Sequence, residues 1–413
     1  MKHSRHWVRL FIFLVMVCSL LFLLGKKTNP PPVQPVYHIY DGNTHSHTAY
    51  TWSHGEQWVN PQKLVVVDSI SEPGPDNVLR TNWQKVQGSP AEHFAMARAE
   101  GFDFYVVTDH SQEPAFQPVS PTNAAWLATK EAALRATTSN FVALAGYEHS
   151  ENNGPGGVGH INVINSSEYL NALAPGIDLP YLYHWLKTAP PNGDGPVVAS
   201  FNHPGPQQYD NWANRDPQVT EIITMLEVIN SGKASHYQAF LNALDKGWKV
   251  SPIAGADNHG LPTTNNPKAR TAAARTFVLA TSLTKVAILD AMKHRRTYAA
   301  LNSHIQCAYS VNGQIMGSTL DSPTNFDFDI SISDPETNNP ANEITKIDIV
   351  KDGGGVVESY TPTPDYSVAW APTISDDTNR YFFVRVWNAS GGDTPDADPT
   401  KPVAWLAPVW TGR

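Results

Sequence analysis

Cysteine is almost missing from this sequence. Only Cys18 and Cys307 occur in 413 residues, and Cys18 lies in an N-terminal apolar run. No disulfide framework can form within a domain, and no thiolate cage can hold a metal, so a bound metal must be held by His and carboxylates. Long basic runs are missing too, and the net charge is −9. Nucleic acid is gripped mainly by Lys and Arg, so no nucleic-acid partner is expected. No Gly-x-Ser-x-Gly segment and no evident Cys/His pair occurs, which leaves no lead to serine or cysteine nucleophiles. No internal repeat of about 20–50 residues stands out.

Apolar runs are scarce beyond the start. Lys2, Arg5 and Arg9 precede residues 10–24, an uncharged apolar stretch that is short for a membrane span and suits a signal h-region. Leu23-Leu24-Gly25-Lys26-Lys27 offers no small-x-small cleavage site, and Val15-Met16-Val17 before Cys18 is a poor lipidation box. Residues 7–25 therefore read as a signal peptide or, preferably, an uncleaved anchor, followed by a stiff Pro-rich spacer over 29–35. The expectation is an exported protein, periplasmic or extracellular, that meets the membrane through this segment only. Its substrate would be a small molecule or an exported polymer. The sequence sets no oligomeric state.

What remains is long enough for one large domain and a smaller one. From Asp41 to about Tyr298, strands and helices alternate. Residues 90–101, 124–137, 237–246 and 282–295 read as helices, the first with Pro in its opening turn and Gly at its end. Residues 102–108, 141–145, 160–164, 197–201, 221–230 and 249–255 read as strands. After Tyr298 the pattern becomes strictly alternating, as in Asp327-Phe328-Asp329-Ile330-Ser331-Ile332-Ser333, with turn signals at Asp352-Gly353 and Gly391-Gly392. The expected domains are 1–35 (leader and spacer), 36–300 (α/β) and 301–413 (a small β-sandwich).

Chemistry-bearing residues gather at the predicted strand ends. His45 and His47, two apart, aim their imidazoles to one side after the β-prone run 36–40. His110, Glu148, His203 and the pair Asp257/His259 each follow a strand in the same way. Alternating strand and helix predicts a parallel barrel or sheet, where sites form at the carboxyl ends of strands. Such a convergence of imidazoles and carboxylates suits a shared divalent-metal site. Asp109 would orient a neighbouring ligand imidazole or form an Asx-turn. His149, next to Glu148, faces the opposite way. His93 and Glu92 read as helix surface, and His184, His236 and His294 as surface or packing. Arg270, Arg275, Arg295 and Arg296 could meet an anionic substrate, though carboxylate pairing or helix-end solvation suits each better. Trp370, Trp387, Trp405 and Trp410 fit core packing better than a sugar-binding face.

The pattern resembles the polymerase-and-histidinol-phosphatase (PHP) superfamily of metallohydrolases. The resemblance spans roughly residues 41–296 and rests on His45-Ser46-His47-Thr48, Val107-Thr108-Asp109-His110, Glu148, His203-Pro204 and Gly255-Ala256-Asp257-Asn258-His259. Gly146-Tyr147-Glu148, Gly159-His160-Ile161-Asn162-Val163 and the terminal β-region look like its exported, carbaryl-hydrolase-like branch. The resemblance implies a distorted (β/α)7 barrel holding two or three divalent ions (Zn, Mn or Fe). Its ligands would be His45, His47, His110, Glu148, His160, His203, Asp257 and His259, with Glu148 bridging and Asp109 and Asp257 in catalytic roles. The family usually has an acidic residue or His where this chain has Ser53; a one-residue bulge would bring His54 round as a ninth ligand and favour a third ion. An Asp commonly stands at the position of Asn43, and its loss would soften the hold on His45. The implied activity is hydrolysis by a metal-bound hydroxide, most simply of a phosphoester. Hydrolysis of a carboxylic ester, amide or carbamate, and an inactive barrel in a surface binding protein, are the alternatives.

Overall fold

The computed structural model describes residues 35–51, 88–151, 156–259, 261, 274–394 and 397–413. Runs of Val, Ile, Leu, Phe and Ala without polar alternation make strands buried on both faces. Six of the first seven strands are nearly all of this kind. β1 (His38–Asn43), β2 (Phe104–His110), β3 (Val142–Ser150), β4 (His160–Ile164), β5 (Val198–Asn202), β6 (Ile223–Asn230) and β7 (Ser251–Gly255) lie side by side in chain order.

β1 to β3 are mutually parallel, as are β5 to β7, but β4 is antiparallel to both neighbours. This departs from the parallel sheet expected. β3 and β4 are joined through residues 151–159 with no helix among the described ones, and so short a return can only pair strands antiparallel. At the other extreme, β1 and β7 approach each other past their carboxyl ends. Ser46 and Asn258 form a parallel bridge there, with His47 N donating to Asn258 O and Asp257 N to His45 O, each at 3.0 Å.

The helices carry the expected caps. Ser89 and Glu92 form a capping box ahead of α1 (Pro90–Ala99), Asn123 caps α2 (Ala124–Ala136), and Asp178 caps α3 (Leu179–Leu186). α4 (Tyr237–Asp245) follows His236, and Thr284 caps α5 (Lys285–Lys293). Phe94 and Ala97 of α1 and Ala133 of α2 pack on Tyr105, Val107, Ala143 and Ala145. His93, expected on the surface, is buried instead. It belongs to the stripe Pro90, His93, Phe94, Ala97, whose spacing is that of one helix face.

β8 (Arg275–Ala280), unrecognised in the sequence, pairs antiparallel with β1, and β9 (Thr297–Ala300) with β8. The sheet does not end there. β9 pairs with β18 (Ala404–Leu406), which leads to β17 (Tyr381–Asn388), β13 (Ile344–Lys351) and β14 (Val356–Tyr360), with β19 (Val409–Trp410) beside β17. A second sheet holds β10 (Gln306–Val311), β11 (Gln314–Ile315), β12 (Asn325–Ser333), β15 (Ser367–Trp370) and β16 (Thr373–Ser375). In β12, Phe326, Phe328, Ile330 and Ile332 turn inward and the residues between them outward. Residues from Tyr37 to Arg413 form one compact unit, and the large sheet is continuous across residue 300.

Trp387, Trp405 and Trp410 are buried, in keeping with packing roles, and Trp370 stacks on Tyr360. Cys307 is buried and free. Among the described residues no helix is long and apolar enough to cross a membrane. The leader lies outside the described residues.

Candidate metal centre

Glu148 is the pivot. β3 continues through it, so strand alternation turns Glu148 to the inner face and Tyr147 and His149 to the other. The Glu148 side chain is fully buried. Four imidazoles approach within 3.4 Å of its carboxylate: His110 Nε2 at 2.9 Å, His45 Nε2 and His160 Nδ1 at 3.2 Å, and His203 Nε2 at 3.4 Å. His47 Nε2 lies at 3.7 Å, and Asn202 Nδ2 donates at 2.8 Å.

Asp257 supplies the second carboxylate. His47 Nε2 is 3.1 Å from it, His45 Nε2 3.6 Å, His259 Nδ1 3.8 Å and His203 Nε2 3.9 Å. The eight described ligands expected from the sequence therefore meet in one place, in overlapping triads whose ligand atoms lie within 4.8 Å of one another. His54 lies outside the described residues. Topology explains the meeting: His45 and His47 follow β1, His110 ends β2, His203 follows β5, and Asp257 and His259 follow β7. His160 is the first residue of β4, and because β4 runs backwards its start sits beside the ends of its neighbours. His203 (φ 28°) and Asp257 (φ 48°) both take left-handed backbone, which swings each side chain off its strand line at a cost of about 1 kcal/mol or more.

The donors fit metal ions. A ligating imidazole is usually fixed by a hydrogen bond from its other nitrogen, which aims the remaining lone pair inward. His45 Nδ1 donates to Glu227 Oε1 at 2.7 Å, which leaves the Nε2 lone pair facing His47 Nε2 only 3.0 Å away. His47 Nδ1 is 3.3 Å from Thr51 Oγ1, and His110 Nδ1 is 3.5 Å from Glu113. His160 is reversed: Ser150 Oγ holds its Nε2 at 2.8 Å while Nδ1 faces Glu148. Lone pairs aimed at one another repel unless a proton or a cation lies between them.

The electrostatics agree. Burial alone would raise the Glu148 carboxyl, but His160, His45 and His110 hold it well below its ordinary range. Burial opposes charge on His45, yet Glu148, Glu227 and Asp257 push its pKa well above the usual value. Burial and the neighbouring His110 drive His47 down to about 3. The cluster calls for positive charge, and not every imidazole can carry it. His45, His47 and Glu148 are fully buried, whereas Asp257 (21% exposed), His203 (15%), His110 (12%) and His259 (11%) form the open side.

Several expectations change at this level. Asp109 was expected to bond an imidazole or make an Asx-turn. Instead it accepts from Thr48 N at 2.6 Å, Thr48 Oγ1 at 2.7 Å and Thr51 Oγ1 at 2.8 Å, so it acts on His47 through Thr51. Burial lifts its carboxyl to about 6 against those donated bonds. Asn43 accepts from Ala256 N and donates to His45 O, tying β1 to the end of β7, while the grip on the His45 ring comes from Glu227. Glu227 was missed. It is the one charged residue in Ile-Thr-Met-Leu-Glu-Val-Ile-Asn, a buried strand, and an ion in such company needs a partner. Gly255 makes room for it, since a Cβ there would collide with Glu227 Oε1 and His45 Cβ. Arg275, Arg295 and Arg296 pair with Asp41, Glu221 and Asp290. Arg270 lies outside the described residues.

No family model matches this chain, and no curated protein matches it. Among solved structures it is similar to a two-domain protein containing a predicted PHP-like metal-dependent phosphoesterase from Bacteroides vulgatus. That match has 15% identity and a TM-score of 0.42, over 93% of this chain and 99% of the other. It is also similar to an amidohydrolase from Chromobacterium violaceum, at 13% identity and a TM-score of 0.30, over 53% of this chain and 87% of the other. Likenesses this loose leave the site to be judged on its geometry.

Proposed function

We propose that this chain is a divalent-metal-dependent hydrolase, most simply a phosphoesterase, of the PHP kind. In this reading residues 36–300 form a distorted (β/α)7 barrel and residues 301–413 a β-sandwich, on an exported protein. The observation that carries it is the convergence of six imidazoles and Asp257 around the buried Glu148. His45, His47, His110, Glu148, His160, His203, Asp257 and His259 would hold two or three ions. When bound, such ions lower the pKa of a coordinated water and polarise the bond it attacks.

The chain's own residues then have distinct tasks. Glu148, central and closed to solvent, spans the ligand triads. Glu227 and Thr51 fix the outer nitrogens of His45 and His47. Asp257 stands on the open side, its Oδ2 tied to Asn230 Nδ2 at 3.3 Å and its Oδ1 facing His47, placed to hold the proton given up by an incoming water. A second reading, hydrolysis of a carboxylic ester, amide or carbamate, is favoured by one observation: among the described residues, the polar partners named above include no guanidinium or ammonium to meet a phosphate.

Metal analysis of protein purified without chelator, with turnover of p-nitrophenyl phosphate and p-nitrophenyl acetate, tests both. Metal-dependent release from the phosphate supports the phosphoesterase, and release from the acetate alone supports the second reading. Bound metal with no turnover of either, or no metal at all, would sink the hydrolase assignment.

A further inference from the structure

A cleft of about 790 Å³, lined by none of the eight clustered residues around Glu148, lies between the turn after β6 and the segment leading into β18. One wall is the turn Asn230–Lys233, which reverses the chain through Ser231 (φ 49°) and Gly232 (φ 76°) with reciprocal backbone bonds between Asn230 and Lys233. Tyr237 continues that wall, and Arg385, Thr394, Lys401 and Trp405 supply much of the rest.

Two independent features of this lining point to the same ligand chemistry. The first is unspent hydrogen bonding. Arg385 Nε, Thr394 Oγ1 and Trp405 Nε1 are buried atoms with no partner among the described residues. Trp405 is 3% exposed and Thr394 8%. A buried polar group normally finds a partner, and three that line one cleft call for a shared one. Arg385 Nε and Trp405 Nε1 can only donate, and the Thr394 hydroxyl can donate, so the missing partner is an acceptor. The second feature is charge. Among the described lining residues three are basic, Lys233, Arg385 and Lys401, and one is acidic, Asp398, in a protein of net charge −9. Asp398 is already engaged by Thr400 N and Oγ1 and by Lys401 Nζ. The Arg385 guanidinium is held in place by Asp348 at 3.1 Å and Tyr237 Oη at 3.2 Å, over the rings of Tyr237 and Trp387. It is therefore set before any ligand arrives.

We propose that this cleft is a binding site for the oxyanion of a small molecule, a phosphate or a carboxylate, separate from the metal centre. The donors of Arg385, Thr394 and Trp405 take its oxygens, and the basic balance of the described lining favours a negative charge there. The site stands on its own residues and holds whether or not the metal centre hydrolyses anything.

Calorimetric titration of the full-length protein with inorganic phosphate, and separately with acetate, tests it, before and after treatment with a chelator. Binding of at least one of the two anions is expected to persist without metal, and the tighter anion identifies the ligand's head group. Thr394→Val with Trp405→Phe removes two donors while keeping their shape, and is expected to weaken that binding at least tenfold. Lys233→Glu with Lys401→Glu, both on exposed residues, is expected to do the same and serves if the first pair disturbs packing. Binding that disappears with the metal, affinities unchanged in both double variants, or no binding of either anion would overturn the proposal.

Discussion

Around Glu148, six imidazoles converge on Glu148 and Asp257, with Glu227 and Glu113 on the outer nitrogens of His45 and His110, whereas around His304 one imidazole meets three carboxylates. His304 Nδ1 lies 2.7 Å from Asp334 Oδ2, and its Nε2 lies 3.1 Å from Asp393 and 3.6 Å from Glu336. Burial opposes a charge on His304, but Asp334 and Asp393 overcome it and raise the pKa to about 10. One proton on one ring satisfies that cluster. The Glu148 cluster has no such solution, because ring centroids only 4.2–5.9 Å apart would place like charges against one another. Lone pairs directed inward in that number suit a cation that several can share. The same two residue types thus make an ion pair in one region and, in the other, a cluster of imidazoles that could hold a metal ion.

The sharpest way to break this contrast is Glu148→Gln. Losing the shared carboxylate should lower metal affinity by more than ~100-fold, beyond the 10–100-fold typical of removing an outer partner. Turnover should fall with it, while the His304 region keeps its stability. Glu227→Gln should land within that 10–100-fold range, read by competition with a chromophoric chelator. An unchanged affinity would deny Glu227 its hold on His45.

The pH dependences should run in opposite directions. Imidazoles must shed protons to bind a metal, so affinity at the Glu148 cluster should rise with pH, with proton release on binding measured in two buffers. His304 has a folded-state pKa above its ordinary 6.5, so its stabilising contribution is complete below about 6.5 and fades as pH rises through about 10. His304→Ala should therefore cost about 1.5–3 kcal/mol of stability near pH 6 and progressively less in alkali, without changing metal content. Denaturant titrations at a series of pH values would show it. The smallest effect expected is that of Gly255→Ala. Its added methyl presses Glu227 away from His45, lowering metal affinity less than Glu227→Gln does.

His45, His47, His110, His203, Asp257 and His259 were legible because each sits at or just past the end of a strand that its own apolar run makes recognisable, whereas Glu148 lies inside β3 and His160 opens β4. The alternation of β12 was legible for the same reason, since one of its faces is wet. What escaped was whatever depended on partners distant in the chain. Glu227 looks like an ordinary strand residue until His45, 182 positions earlier, is seen beside it. The reversal of β4 escaped because alternation elsewhere points to a parallel sheet, although the nine residues between Ser150 and His160 are too few for a crossover helix. His93 reads as surface because it is a polar side chain on a helix, although its spacing to Phe94 and Ala97 puts it on the buried stripe. Asp109 reaches His47 only through Thr51, a relay that spacing along one strand cannot show.

Elemental analysis of the full-length protein purified without chelator, beside His110→Ala, addresses the ligand cage most directly. Two or three divalent ions per chain in the parent, and fewer in the variant, are the predicted outcome. A parent that carries no stoichiometric metal and takes none up on dialysis against zinc, manganese or ferrous iron would contradict it.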